Sequence, residues 1–148
     1  LRENGFAIVG LRPNADLGGD AIRNVLGSEA DSGEFKLYTH FPRQEFVSWM
    51  AVADVMIGNS SAGIIEAASF GTPVINVGSR QNLRERNANV VDVDADAAAI
   101  SAALNHVLKT GRFPIRNIYG NGYSAERIAD LLATIELPPS LLDKACAY

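Results

Sequence analysis

The sequence has 148 residues, of which 47% are hydrophobic and 20% are charged, and its formal net charge is −4 at pH 7. This composition is typical of one globular domain, and the acidic balance disfavours a nucleic-acid partner or an anionic membrane surface. The single cysteine, Cys146, supports neither a disulfide framework nor a metal cluster. No apolar run reaches the roughly 20 residues needed to cross a bilayer, and no secretory signal opens the chain. We therefore expect a cytoplasmic protein without a membrane partner.

Short apolar runs alternate with helical patterns along the chain. The predicted strands are residues 6–11, 35–38, 54–57, 73–77 and 90–93. The predicted helices are residues 19–26, 44–53, 61–70, 96–109 and 124–135. This alternation predicts an α/β fold, a doubly wound, Rossmann-like parallel sheet covered on both faces, with ligands beyond the carboxyl ends of the strands. Because the chain opens on Leu1 and reaches a buried strand at once, we also expect it to begin inside a longer protein.

Small polar residues are densest where the third predicted strand runs into a helix. The first N–H groups of a helix point back toward the strand end and favour an anion there. Ser60 and Ser61 add hydroxyl donors, and Gly58 and Gly63 lack β-carbons, so a phosphate can approach the backbone closely. Either serine alone is equally well explained as a helix N-cap. The tandem pair beside two glycines favours a phosphate site, and Gly71 is the predicted C-cap of the helix.

Two charged residues complete this candidate site. Glu66 follows Gly63 by about one helical turn, so its carboxylate is predicted to face the same turn and to suit the vicinal hydroxyls of a ribose. The alternative for Glu66 is a solvated helix charge. Arg80 follows the next strand closely, and its guanidinium suits a pyrophosphate or a base carbonyl. Arg84 and Arg86 compete for that role, and Arg86 is the better candidate for a solvated surface charge.

Several short motifs of a recognisable pattern are spread over nearly the whole chain. They are Pro13-Asn14-Ala15-Asp16, Gly58-Asn59-Ser60-Ser61-x-Gly63-x-x-Glu66, Phe70-Gly71-Thr72-Pro73-Val74-Ile75-Asn76-x-Gly78-x-Arg80-Gln81, Ile118-Tyr119-Gly120-x-Gly122 and Arg127-Ile128. Together they resemble the hydrolysing UDP-N-acetylglucosamine 2-epimerases of sialic-acid synthesis. The related non-hydrolysing epimerases usually carry Asp-Ser-Gly-Gly and paired glutamates in the central block. One departure is that relatives often have glycine two residues after Arg80-Gln81, where this chain has Asn82-Leu83 before Arg84.

The resemblance implies that residues 1–148 are one Rossmann-like domain, the C-terminal half of a two-domain fold of the GT-B type. The implied role of this half is to bind UDP and the UDP-N-acetylhexosamine substrate, facing an N-terminal domain that the chain lacks. Two of the implied nucleotide contacts come from the start of the chain. The backbone near Phe41 would contact the uracil edge, and Asn14 would border the nucleotide. The intact protein is expected to be a homo-oligomer.

The other implied contacts come from the central motifs. Ser60 and Ser61 would bind the diphosphate, Glu66 the ribose hydroxyls, and Arg80 the nucleotide. The resemblance implies no cofactor, no metal and no catalytic residue in this chain, because the acidic residues that move protons belong to the N-terminal domain. The fragment alone is therefore expected to be inactive.

Three functions are compatible with these residues. The first is the UDP-binding half of an enzyme that converts UDP-N-acetylglucosamine to N-acetylmannosamine plus UDP. The second is the UDP-sugar domain of a GT-B glycosyltransferase, which the motifs containing Ser60-Ser61 and Arg80-Gln81 disfavour. The third is a stand-alone, non-catalytic nucleotide-binding module.

Overall fold

The structure, a computed structural model, describes residues 5–13, 19–31, 33 and 35–142. The candidate residue Asn14, Asp16 of the same motif and the single cysteine, Cys146, lie outside the described residues. The chain divides into two compact units, Leu1–Trp49 and Met50–Tyr148.

The first unit is built on a pair of parallel strands. Strand β1 covers Val9–Leu11, helix α1 covers Gly19–Asp31, and strand β2 covers Lys36–Tyr38. The two strands pair in the register Val9↔Lys36. Helix α2, Arg43–Val52, follows, and the division between the units falls within it.

The second unit contains a three-stranded parallel sheet in the order β3-β4-β5. Its strands pair in the registers Met56↔Val74 and Val74↔Val90. The elements of this unit after α2 are, in chain order, β3 (Met56–Gly58), α3 (Ser61–Ile65), a 3₁₀ helix (Ala67–Phe70), β4 (Val74–Val77), β5 (Val90–Val93), α4 (Ala97–Thr110), α5 (Ser124–Thr134) and a second 3₁₀ helix (Pro139–Leu142).

Strand β4 is covered on both faces, and this arrangement forms the core. Ile75 is fully buried and packs with Leu104 and Val107 of α4 on one face. Val74, its neighbour in the strand, points to the opposite face. There its side chain fills the space beside Gly63 of α3. The central strand therefore has a helix on each side, as in a doubly wound fold.

The order of elements and the α/β, Rossmann-like class with parallel strands are confirmed. The predicted C-cap at Gly71 is also confirmed, because this residue has φ 65° and its N–H bonds to carbonyls of the preceding turn. The continuous helix predicted over residues 61–70 is wrong, since α3 ends at Ile65 and a 3₁₀ helix begins at Ala67. None of the helices among the described residues is long and apolar enough to span a bilayer.

Candidate functional site

Two loops meet at the carboxyl edge of the three-stranded sheet. The first loop leaves β3 at Gly58 and leads into α3, and the second leaves β4 at Val77. Because β3 and β4 are adjacent and parallel, both loops start from the same edge of the sheet. A hydrogen bond joins them directly, from Nε2 of the buried Gln81 to the carbonyl of Asn59 at 2.7 Å. The sequence motifs on either side of this bond therefore belong to one local structure.

The first loop, which we call the serine turn (residues 58–61), has the geometry of a helix start. Gly58 has φ 150°, a value that side chains rarely tolerate, so the turn needs glycine there. Ser60 is the N-cap of α3, and its Oγ accepts a hydrogen bond from the N–H of Ala62 at 3.3 Å. A capping hydroxyl accepts through a lone pair and keeps its own hydrogen for donation. Ser60 as a cap and Ser60 as a phosphate donor are therefore compatible, and Ser61 is exposed beside it.

Gly63 has a different role from the one expected. It is buried, and a β-carbon on it would lie 2.9 Å from Cγ1 of Val74. This glycine therefore lets α3 pack closely on β4, like the glycine that sets helix-strand packing in dinucleotide-binding folds. The expectation that it makes room for a phosphate is not what the packing indicates.

Glu66 lies at the junction between α3 and the 3₁₀ helix, with φ −106° and ψ −38°. The residue is partly buried, and its Oε2 atom is shielded from solvent. It also takes part in an interaction within the chain. Its position differs from the simple solvated helix charge considered from the sequence, because half of the carboxylate is turned away from water.

Two asparagine side chains donate hydrogen bonds to backbone carbonyls at the end of α3, just before Glu66. Nδ2 of Asn117 donates to the carbonyl of Ile65 at 2.7 Å, and Nδ2 of Asn87 donates to the carbonyl of Ile64 at 3.2 Å. The two amides also bond to each other, from Nδ2 of Asn87 to Oδ1 of Asn117 at 3.2 Å. Backbone carbonyls at a helix end need such partners when the helix stops.

The remaining amide atoms of this pair are also engaged. Oδ1 of Asn87 accepts from the N–H of Ile118 at 2.9 Å. Oδ1 of Asn117 accepts from the N–H of Tyr119 at 2.9 Å, and its Nδ2 also donates to Oγ of Ser69 at 2.8 Å. The orientation of both amides is fixed by these contacts, since exchanging O and N would lose several of them.

The arginines of the second loop have distinct environments. Arg80 is exposed at the loop surface and takes part in an interaction within the chain. Arg86 forms an ion pair with Asp92 and donates through Nη1 to the carbonyls of Gln81, at 2.9 Å, and Arg84, at 2.6 Å. The interpretation of Arg86 as a solvated surface charge is therefore wrong, because the side chain holds its own loop together.

The ion pair also defines the electrostatics of this loop. A hydrogen bond from Arg86 lowers the pKa of the Asp92 carboxyl, partial burial opposes that effect, and a hydrogen bond from Asn76 with the charge of Arg86 lowers the pKa further. Nδ2 of Asn76 lies 2.6 Å from Oδ1 of Asp92. Asp92 is therefore a structural anion that neutralises Arg86.

An open cavity of about 260 Å³ lies at the carboxyl ends of β4 and β5. Its lining residues are Gly78, Ser79, Asn82, Asp92, Val93 and Asp94, so it includes the start of the second loop and does not include the serine turn. Among the described residues, no group of three or more histidine, cysteine or carboxylate side chains is placed to hold a metal.

Phe41 belongs to the first unit and is described within it. The side chain is buried and packs against two aromatic rings, with centroids 4.6 Å from Tyr38 and 6.1 Å from Trp49. Its ring therefore serves packing, and a nucleotide contact there would fall to the backbone, as the resemblance implies. The roles of Gln81, Asn87 and Asn117 were missed from the sequence, since amide residues in loops carry no pattern that specifies their acceptors.

Comparison with known proteins identifies the family. A family model described as UDP-N-acetylglucosamine 2-epimerase matches residues 1–133. The chain is 48% identical over 95% of its length to a hydrolyzing UDP-N,N'-diacetylbacillosamine 2-epimerase of Legionella pneumophila. It is 30% identical over 89% of its length to a UDP-N-acetylglucosamine 2-epimerase of Neisseria meningitidis. A hydrolyzing GDP/UDP-N,N'-diacetylbacillosamine 2-epimerase of Campylobacter jejuni is 39% identical over 58% of the chain.

The matched region is only part of each relative. The chain covers 37% of the Legionella protein, 36% of the Neisseria protein and 23% of the Campylobacter protein. The resemblance of the central motifs to the hydrolysing 2-epimerases is confirmed by these matches. The chain belongs to the UDP-N-acetylglucosamine 2-epimerase family.

Proposed function

We propose that this chain supplies the UDP-binding surface of a hydrolysing 2-epimerase. The complete enzyme would remove the C2 proton of a UDP-2-acetamido sugar, release UDP by cleavage of the bond between C1 and the phosphate oxygen, and add water to the resulting double bond. With UDP-N-acetylglucosamine, the products are N-acetylmannosamine and UDP. No residue of this chain is assigned to proton transfer, so its part in the reaction is to hold the leaving group.

The observation that carries this proposal is the joining of two loops at one edge of a parallel sheet in a chain of this family. Ligands of doubly wound folds bind outside the carboxyl ends of the strands. The Gln81–Asn59 hydrogen bond holds the serine turn against the loop that contains Arg80. Hydroxyls from the turn and a guanidinium from the loop are suitable donors to a diphosphate.

Glu66 is the proposed ribose ligand. A carboxylate accepts hydrogen bonds from the 2′- and 3′-hydroxyls of a ribose, as the acidic residue of dinucleotide sites does. Because Oε2 is shielded from solvent, the ribose hydroxyls would have to bond to the accessible part of this partly buried side chain. The interaction that Glu66 already makes within the chain would then help to orient the carboxylate toward the ribose.

Sequence identity favours a second candidate substrate beside UDP-N-acetylglucosamine. The relative named for UDP-N,N'-diacetylbacillosamine is 48% identical and the one named for UDP-N-acetylglucosamine is 30% identical over similar shares of the chain. Both sugars present UDP to this surface, so the choice between them falls to residues beyond the nucleotide site. Assays of a full-length protein containing this chain with both substrates, following release of UDP and free sugar, decide between them.

We further propose that the complete enzyme has an N-terminal half, forms a homo-oligomer and is cytoplasmic. The isolated 148-residue chain is expected to bind UDP and to release no free sugar from either substrate. Turnover by the isolated chain would contradict the assignment of the proton-transfer residues to the other half. A full-length protein that binds UDP without any turnover would instead favour the non-catalytic binding module.

The test of the site compares UDP with 2′-deoxy-UDP by calorimetry. Hydrogen bonds to a charged group contribute about 1.5–3 kcal/mol, so Glu66→Ala should weaken UDP binding by roughly 10- to 150-fold. The native chain should prefer UDP to the deoxy ligand, and Glu66→Ala should bind both ligands about equally.

Glu126→Ala is the matched control, since Glu126 is an exposed glutamate in the first turn of α5. This variant should keep the native affinity and the native preference for UDP. A Glu66→Ala variant that retains the full preference for UDP over its deoxy analogue would show that Glu66 does not bind the ribose.

A further inference from the structure

We propose that three side-chain amides, those of Gln81, Asn87 and Asn117, position the proposed nucleotide-binding segment, residues 59–66, through its backbone carbonyls. Each donates an N–H to a backbone carbonyl of that segment, and we call the three residues the amide brace. They act through the backbone and are positioning residues. The inference rests on the proposed function, because the segment contains the serine turn and Glu66.

The brace is needed because the segment is not a regular helix. In an α-helix the N–H of Ser69 would bond to the carbonyl of Ile65, four residues earlier. Here it bonds to the carbonyl of Glu66 at 2.9 Å. The carbonyl of Ile65 instead accepts a hydrogen bond from Nδ2 of Asn117 at 2.7 Å. The side-chain amide therefore stabilises the break in the helix.

The break determines where the Glu66 side chain lies. If the donor of Asn117 is removed, the N–H of Ser69 can return to Ile65 and extend α3 through Glu66. That change alters the backbone angles at Glu66 from the observed φ −106° toward the helical value of about −63°. A carboxylate that must accept from ribose hydroxyls at hydrogen-bond distance is sensitive to such a rotation.

Asn87 and Gln81 secure the two ends of the same segment. Asn87 is buried, bonds to the carbonyl of Ile64 and holds Asn117 through their amide contact. Gln81 bonds to Asn59 at the serine turn, ahead of α3. The brace thus acts on the ribose contact through the asparagines and on the diphosphate contact through Gln81.

The experiment measures two affinity ratios on the 148-residue chain by calorimetry. The first is the preference for UDP over 2′-deoxy-UDP, and the second is the preference for UDP over uridine. Asn117→Ala should lower the first ratio at least about threefold and leave the second within about twofold. Gln81→Ala should lower the second ratio and leave the first. In a Glu66→Ala background, Asn117→Ala should have no further effect on the first ratio.

Asn89→Ala is the matched control. Asn89 is also buried, and its Nδ2 donates to a backbone carbonyl at 2.7 Å, but that carbonyl belongs to Thr72 before β4. This variant should lose thermal stability and keep both ratios. If Asn117→Ala does not fold, the isosteric Asn117→Asp removes the same donor and keeps the acceptor that bonds to Tyr119.

The outcomes separate the inference from the function on which it rests. A native chain that does not prefer UDP to its deoxy analogue overturns the ribose contact, and the ribose arm of the brace with it. A native preference that survives in Asn117→Ala or Asn117→Asp overturns the brace alone. A loss of preference in Asn89→Ala equal to that in Asn117→Ala also overturns it, because general destabilisation then explains both.

Discussion

Arg86 donates hydrogen bonds to Asp92 from two nitrogens, from Nε to Oδ2 at 3.0 Å and from Nη2 to Oδ1 at 3.1 Å. The remaining nitrogen, Nη1, donates to the carbonyl of Gln81 at 2.9 Å. The ion pair therefore joins the loop after β4 to strand β5, and it also supports the residue whose amide bonds to the serine turn. An arginine fork is suited to this task because its planar donors fit a carboxylate in a fixed orientation.

The Arg86–Asp92 pair predicts an acid-dependent contribution to stability. Because the pKa of Asp92 is lower in the folded chain than in the unfolded chain, its contribution is present above about pH 4 and is lost as the pH falls further. The side chain of Asp92 is 50% exposed, so we expect only about 0.2–1 kcal/mol. The measurement is the difference in the free energy of unfolding between Asp92→Asn and the native chain, obtained by chemical unfolding between pH 3 and pH 7.

The difference between the two chains should be largest at neutral pH and should shrink toward pH 3. In an Arg86→Ala background the pH-dependent difference should become much smaller, since both effects of Arg86 are absent and burial opposes the remaining hydrogen bond from Asn76. A constant difference at every pH would show that the charge of Asp92 is unimportant.

Arg80 and Arg86 should separate binding from stability. Arg80→Ala should weaken UDP binding, because this exposed side chain follows the carboxyl end of β4. Arg86→Ala should lower the free energy of unfolding, by about 0.5–1.5 kcal/mol, since it removes the ion partner of Asp92 and the donor to the carbonyls of Gln81 and Arg84.

Calorimetry with UDP and thermal unfolding of the same two variants test this separation. A larger loss of stability in Arg80→Ala than in Arg86→Ala would contradict the assignments.

Gly63→Ala should destabilise the second unit by about 1–3 kcal/mol, as expected for overpacking. The new β-carbon would lie 2.9 Å from Cγ1 of Val74, a β-branched side chain that is stiff at χ1 and buried in the central strand. Thermal unfolding measures the effect. Gly27→Ala is the control, because Gly27 lies in α1 and a β-carbon there meets nothing within 4 Å.

The control should be neutral or should stabilise by up to about 1 kcal/mol. A second check is Val74→Ala, which should be less harmful in the Gly63→Ala background than alone, because the smaller side chain makes room. Equal stability of Gly63→Ala and the native chain would refute the close packing of α3 on β4.

Leu83→Gly should raise the free energy of unfolding by up to about 1 kcal/mol. Leu83 is fully exposed and has φ 69°, a left-handed conformation that costs a side chain about 1–2 kcal/mol. The greater freedom of glycine in the unfolded chain offsets part of that gain. Leu83→Ala keeps the strain and should change little.

Leu132→Gly provides the opposite control, since Leu132 is an exposed leucine in helix α5 and glycine there should cost about 1 kcal/mol. Destabilisation by Leu83→Gly would show that the loop gains more from the leucine than it loses in strain.

The sequence predicted the fold well because local patterns determine it. Short runs rich in β-branched residues, such as β4 and β5, are distinct from the helical spacing of α4, so the order and type of these elements are clear from the sequence. The departure at Leu83 is also informative, since the resemblance predicts a glycine there and Leu83 has φ 69°, a conformation that glycine adopts more easily.

The candidate site was predicted less completely, for a physical reason. The break in the helix before Glu66 depends on amides at positions 87 and 117, which come from distant loops and carry no periodic signal. Gly63 was assigned to the phosphate because spacing alone does not tell a glycine that admits a ligand from one that admits a strand. The UDP contacts of Ser60, Ser61 and Arg80 stay predictions.

The pairing of each strand of the β3-β4-β5 sheet with the next strand in sequence has a kinetic consequence. Such contacts join residues about 16–18 apart, much closer in sequence than the bonds of Asn117, so we expect them to form earlier in folding. Asn117 lies after all three strands, so its bonds to Ile65 and Ser69 should form after the main barrier is crossed. Asn117→Ala should then speed unfolding and leave the refolding rate nearly unchanged.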